Sequence, residues 1–150
     1  MIMVDTFFNS SCNHCLMIKL TWKFLWNWVP VLVYMGFIYY LSSLPQVFSS
    51  LPLGSGNLLQ ELDFSSMLYH VLEYAILGLL IWKALSSYKV KNSQLLSIFI
   101  VILYGITDEI HQIFVPLRVF SFLDILMDGI GGVVAQSLVN VYYWMKRNVK

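Results

Sequence analysis

Charged residues are scarce in this chain, at 11% of 150 residues, where an ordinary soluble domain carries about 25%. Hydrophobic residues reach 59%, above the ~45–50% of soluble domains. A water-soluble domain is therefore not expected. Disorder is excluded as well, because it needs low hydrophobicity and a high net charge, and the formal net charge here is +1. Nine Lys and Arg against eight Asp and Glu give no basic surface to grip nucleic acid, so no nucleic-acid partner is expected. The length sets a prior of one domain.

Cysteine is nearly absent. Cys12 and Cys15 form one C-x-x-C around His14, and zinc would need two more ligands at matching spacing, which no second pair supplies. Residues 1–23 read as a polar, unstructured leader, with Met17 as an alternative start. There is no internal repeat and no low-complexity tract. The alternating ten-residue segments of a β-barrel are missing too. The first apolar run exceeds the ~7–15 residues of a signal-peptide core and lacks an A-x-A site.

What the chain does have is four apolar stretches, over residues 24–44, 66–85, 95–115 and 120–143. A helix rises ~1.5 Å per residue, so about 20 residues cross the ~30 Å hydrocarbon layer. The expected fold is an all-α membrane protein, a bundle of four transmembrane helices over residues 24–145. A 21-residue loop, 45–65, joins the first two and has room for a short interfacial segment around Leu58 to Leu62. Residues 86–94 form a polar link, and only 116–119 separate the last two helices, which makes those antiparallel neighbours. Lys19, Lys23, Lys83, Lys89, Lys91, Lys146, Arg147 and Lys150 fall on one side of the bundle and Arg118 alone on the other. The positive-inside rule then places both termini in the cytoplasm and the turn at Arg118 outside. Trp22, Trp26 and Trp28, with Tyr142, Tyr143 and Trp144, read as aromatic belts at the inner interface, where Trp82 and Lys83 also lie.

Ionisable side chains inside such spans cost ~2.5–3.5 kcal/mol each on insertion scales and by default mark a site. His70, Glu73 and Tyr74 share a face of the second helix; Asp108, Glu109, His111 and Gln112 close the third; Asp124 and Asp128 open the fourth, and Ser42 and Ser43 end the first. With the orientation above, all lie roughly 6–12 Å from the outer interface. They point to one outward-facing acidic pocket. Residues 75–80, 98–103 and 129–135 below it are apolar or small, so a polar path through the membrane, and with it a channel, is not expected. Gly131 and Ala135, four apart, suit close helix approach.

Glu73, Asp108, Glu109, Asp124 and Asp128 are five carboxylates against one arginine, and clustered acids in a weakly solvated site cannot all carry charge. Either some stay neutral, or the histidines charge, or a cation binds. Asp108, Glu109, His111, Asp124 and Asp128 are the candidate ligands for a divalent metal such as Mg²⁺, Mn²⁺ or Zn²⁺. The candidate catalytic residues are His70, Glu73, Asp108, Glu109, His111, Gln112, Asp124 and Asp128. Either histidine would serve as acid or base. Arg118, Ser42, Ser43 and Tyr74 are the candidate substrate-binding residues, with the planar Arg118 fork suited to phosphate or carboxylate. Polar pairs also act as helix-to-helix glue at ~0.6 kcal/mol each, but two or three would fix the register of a small bundle.

The runs Tyr39-Tyr40-Leu41-Ser42-Ser43-Leu44-Pro45, His70-x-x-Glu73-Tyr74-x-x-Leu77-Gly78, Tyr104-Gly105-x-x-Asp108-Glu109-x-His111-Gln112-x-Phe114-x-Pro116-x-Arg118 and Asp124-x-x-x-Asp128-x-x-Gly131 resemble the VanZ-like family of small bacterial membrane proteins. The similarity runs from about Tyr34 to Ala135. It implies a four-helix bundle in the bacterial plasma membrane, and a link to reduced susceptibility to teicoplanin, a lipoglycopeptide acting at the outer membrane face. Two positions depart from what many members carry: Met67 stands where they have lysine, and Leu117 where they have glycine. Two functions follow as expectations. One is a hydrolase or transferase acting on an envelope lipid or a lipid-linked cell-wall precursor. The other is a non-catalytic protein that binds a membrane lipid, a lipoglycopeptide or a cell-wall enzyme, with the 16% aromatic content available for docking rings or acyl chains.

Overall fold

The structure, a computed structural model, describes the backbone of residues 2–44 and 64–148 and the side chains of 17–44 and 66–148. The expected loop segment at Leu58 to Leu62 and the side chains of Cys12, His14 and Cys15 lie outside the described residues. Four helices are present, α1 (Ile2–Ser42), α2 (Phe64–Ser87), α3 (Ser93–Gln112) and α4 (Phe122–Asn148), with no strand among the described residues. Each holds a stretch long and apolar enough to cross a membrane: Met17–Ser42, Ser66–Ser87, Ser93–Gln112 and Phe122–Asn148.

Two boundaries differ from expectation. α1 begins at Ile2, so the stretch read as an unstructured leader is helical. Residues 2–23 contain no glycine or proline to interrupt a helix. α3 ends at Gln112 and α4 starts at Phe122, so the connection between them is longer than the four residues expected. Ile113, Phe114, Val115 and Phe120 make the turn as apolar as the helices it joins, and hydrophobicity alone does not separate them.

α2, α3 and α4 are in mutual contact, and the α2–α4 interface is the most extensive. α1 lies against α2, touches α3 only slightly, and does not meet α4 among the described residues. The core follows helical periodicity, with Val31 and Ile38 from α1, Tyr74, Leu77, Ile81, Ala84 and Leu85 from α2 and Val101 from α3. Trp28 packs against this core, unlike Trp22 and Trp26, which are exposed. To the α2–α4 contact α4 brings small residues. A Cβ on Gly78 would sit 3.1 Å from Ala135 Cβ, and one on Gly131 would sit 2.6 Å from the Val71 carbonyl oxygen. The Gly131 and Ala135 pair thus lies at a tight crossing, where in lipid van der Waals contact holds helices together.

Side-chain bonds fix the two ends of the bundle. Lys23 Nζ lies 5.0 Å above the Tyr88 ring, which brings the basic part of α1 to the α2–α3 link. At the opposite end Ser42, the last residue of α1, and Ser43 just after it bond to α3, beside the α3–α4 turn. Midway, Tyr104 OH donates to the Met35 carbonyl at 2.6 Å, and Tyr34 OH to the Glu73 carbonyl at 3.3 Å.

Candidate functional site

The predicted residues gather at the end of the bundle that carries the α3–α4 turn, but as two linked groups rather than around one open pocket. The first joins α2 to α4. His70 Nδ1 is 2.9 Å from Asp128 Oδ1, and His70 Nε2 is 3.9 Å from Asp124 Oδ2. Asp124 and Asp128, one helical turn apart, thus flank a single imidazole. An ionised carboxylate only accepts, so the Asp128 contact places a proton on Nδ1, and in the neutral ring Nε2 then carries the lone pair. Asp128 is 1% exposed, and α3 makes room for it at Gly105, where a Cβ would come within 2.5 Å of Asp128 Oδ2.

The start of α4 explains why Asp124 can face His70. Ser121 precedes the helix and its Oγ accepts the Asp124 N–H at 3.2 Å, as an N-cap does. In a reciprocal capping box the carboxylate three residues on would accept the Ser121 N–H. Here Glu109 Oε2 of α3 accepts it instead, at 2.8 Å. Glu109 therefore does two things, pinning the turn to α3 and releasing the Asp124 carboxylate toward α2.

The second group joins α1 to α3. Ser42 Oγ donates to Asp108 Oδ1 at 2.6 Å and Gln112 Nε2 donates to Asp108 Oδ2 at 3.1 Å, so both oxygens of this buried acid are engaged. Ser43 Oγ donates to the Tyr39 carbonyl at 2.6 Å and lies 3.0 Å from His111 Nε2. A hydroxyl has one proton, so Ser43 accepts from His111, whose proton is then on Nε2. His111 also stacks on Tyr39 with ring centroids 4.3 Å apart. As neutral rings the two histidines therefore take opposite tautomers, and His70 Nε2, 3.9 Å from Asp124, has no hydrogen-bond partner among the described residues.

Between these groups lie Glu73, Glu109 and Arg118. Glu73 interacts electrostatically with His70, Asp108, Asp128 and Arg118, and Glu109 with Asp124, His70 and Asp108. Glu73 Oε1, Tyr74 OH, Glu109 Oε1, Arg118 Nε and Asp128 Oδ2 are buried with no hydrogen-bond partner among the described residues. Glu73, Asp124, His111 and Arg118 are half-buried, whereas Asp108, Glu109, Gln112 and Asp128 are buried. No three His, Cys, Asp or Glu side chains among the described residues stand where they could share a metal ion. Of the metal candidates, Asp124 and Asp128 belong to the first group and Asp108 and His111 to the second, with Glu109 between them.

A model of the VanZ/LLP1 family matches residues 1–143. The chain belongs to that family. No curated protein and no solved structure matches it.

Both departures noted in the sequence can be placed on this VanZ/LLP1 bundle. Leu117 has φ 66°, in the left-handed region that favours glycine, so a glycine there suits the backbone of the turn. Leu117→Gly is expected to stabilise the protein by about 1 kcal/mol, since the side chain it removes is exposed and the conformation costs a leucine ~1–2 kcal/mol. Thermal unfolding in detergent checks this, and a lowered midpoint would contradict it. Met67 is half-buried one turn before His70 on α2. With a neutral side chain there, Arg118 is the Lys or Arg at this end of the bundle among the described residues.

Sequence reasoning missed a third polar group, deeper in the bundle. Ser97 Oγ donates to the Gly78 carbonyl at 2.7 Å, and Gln136 Nε2 reaches the same carbonyl at 3.4 Å and Ser97 Oγ at 3.3 Å. Both residues border the stretches read as apolar, 98–103 and 129–135. The signal was spacing: Ser97 continues the α3 face of Val101, Gly105, Asp108 and Gln112, and Gln136 that of Asp128 and Gly132 on α4. This group ties three helices together at Gly78.

Proposed function

We propose that this VanZ/LLP1 protein works at the outer leaflet of the bacterial plasma membrane, where His70 moves a proton on the headgroup of an envelope lipid or a lipid-linked cell-wall intermediate. The observation that carries this reading is the His70 imidazole, anchored through Nδ1 to a fully buried carboxylate while Nε2 stays unengaged beside half-buried Asp124. A buried acid that sets the tautomer of a histidine leaves the outer nitrogen as a general base. Nε2 would take the proton of a water or hydroxyl as its oxygen attacks a phosphoryl or carbonyl centre, and the imidazolium held between Asp124 and Asp128 would return that proton to the departing alcohol oxygen as its bond to the centre breaks. Arg118, on the turn, would receive the phosphate or carboxylate. Asp108, Gln112, Ser42, Ser43 and His111 would hold α1 against α3 and keep the site in shape. The outward orientation rests on the basic residues gathered at the other end.

The test compares cells expressing the wild type or His70→Ala at matched membrane levels, scored by teicoplanin susceptibility and by mass spectrometry of extracted lipids. The wild type is expected to change a lipid or precursor and to lower susceptibility, and His70→Ala to lose both. A His70→Ala protein that retains both would overturn the reading. Lowered susceptibility with unchanged lipids would favour a second one, binding of a lipid, lipoglycopeptide or cell-wall enzyme without turnover. That alternative draws on the way the polar side chains close on one another rather than line an open cavity.

A further inference from the structure

Buried polar groups are almost always paired, so five atoms around one site that have no partner among the described residues need an account. Three are carboxylate oxygens, of Glu73, Glu109 and Asp128; one is the Tyr74 hydroxyl; one is a donor, Arg118 Nε. Asp128 and Glu109 are 1% and 0% exposed, so bulk water does not reach them freely. The missing partner must therefore donate more hydrogen bonds than it accepts, offset negative charge, and still present an acceptor to Arg118.

Glu73 and Arg118 sharpen this. One is an acid and the other a base, and they interact, yet each keeps an atom with no partner among the described residues, where the close ion pairs are those of His70. Two opposite charges that are near but not closed on each other match a ligand bearing the reverse pair. A metal ion does not meet the requirement, because no three acidic or histidine side chains among the described residues converge on one point. An ammonium bonds at ~2.8–3.0 Å rather than the ~2.0–2.6 Å of a metal, and so spans wider-set acceptors. A trimethylammonium has the charge without N–H donors, and a glycerol headgroup has donors without the charge.

We infer that the site binds an aminoalkyl phosphate headgroup, its primary ammonium donating to the unpartnered carboxylate oxygens led by Glu73 and its phosphate meeting Arg118. This rests on the proposed outer-leaflet site beside His70 and adds the class of ligand it takes.

The test uses the full chain in phosphatidylcholine nanodiscs, loaded with equal amounts of phosphatidylethanolamine and phosphatidylglycerol, with retained lipids counted by native mass spectrometry. The wild type is expected to retain the ethanolamine lipid over the other two by about tenfold, a ratio that corresponds to ~1.4 kcal/mol. Glu73→Gln, which keeps the shape and loses the charge, is expected to bring the three close to parity. Free phosphoethanolamine added as competitor separates the two sources of the same chemistry: displacement shows that the headgroup suffices, and retention of the preference shows that the acyl chains take part. Parity in the wild type, or a preference for phosphatidylglycerol, overturns the inference. Retention is read without turnover, so parity removes the ligand class and leaves the His70 comparison to decide the reaction.

Discussion

Asp128→Asn is expected to lower activity by about 10³- to 10⁴-fold while the bundle stays folded, the scale seen when the acid that orients a catalytic histidine becomes an amide. Asparagine has the shape of aspartate, so the space beside Gly105 accommodates it, but each amide orientation fails differently. With the amide NH₂ toward His70, it donates to Nδ1 and drives the imidazole proton to Nε2, and the free base is lost. With the amide oxygen toward His70, the tautomer survives, but the negative charge that would stabilise the imidazolium is gone, and an NH₂ is buried where Asp128 Oδ2 now has no partner. Lipid conversion by membranes carrying the variant, set beside its thermal unfolding, reads the two effects apart. His111→Phe is the internal comparison. Phenylalanine preserves the stack on Tyr39 and loses only the bond to Ser43, so activity should fall several-fold at most. If the His111 change were as damaging as the Asp128 change, the assignment of the base to His70 would be wrong.

The four helices, and the polar residues that gather at one end of them, are legible in the sequence through one physical fact. A membrane helix must be apolar for about 20 residues, so both its presence and its exceptions stand out. His70, Asp108, Glu109, Asp124 and Asp128 are visible as exceptions, and they do meet at one end. Their division into two groups is not visible. The i, i+4 spacing of Asp124 and Asp128 says that they share a face of α4, but not that α2 rather than α1 lies against it. The tautomer of each histidine is hidden for the same reason, because it depends on Asp128 for one and Ser43 for the other, both distant in sequence. Ser97 and Gln136 are hidden by their neighbours, since a lone serine or glutamine at the edge of an apolar run hardly alters its character. Leu117 is the opposite case. Its departure from the glycine that the resemblance implies is legible in the sequence, and the positive φ of the turn shows why a glycine suits that position.

Gly131→Ala is expected to destabilise the protein by about 1–3 kcal/mol, the cost of overpacking a close contact, and Gly131→Leu to prevent assembly of α2 with α4. The new Cβ would lie 2.6 Å from the Val71 carbonyl oxygen and 3.0 Å from the Ala75 nitrogen. Both are backbone atoms of α2, and no rotamer change moves them, so the helices must separate. Separation has a high cost here because α2 and α4 form the largest interface of the bundle, and in lipid no hydrophobic force draws them back together. It also carries consequences for the site, since His70 and Asp128 face each other across the same interface. Gly36→Ala provides the control within the same chain. Nothing lies within 4 Å of a Cβ there, so the better helix former should stabilise α1 by about 0.5–1 kcal/mol. Gly105→Ala separates stability from function. Its Cβ would meet the Asp128 carboxylate, a side chain that can turn aside, so the expected loss is of His70 positioning more than of the fold. Unfolding of the three alanine variants in detergent, ranked with Gly131 lowest and Gly36 highest, is the expected result, and equal midpoints for Gly131→Ala and Gly36→Ala would mean that the α2–α4 crossing is looser than this geometry requires.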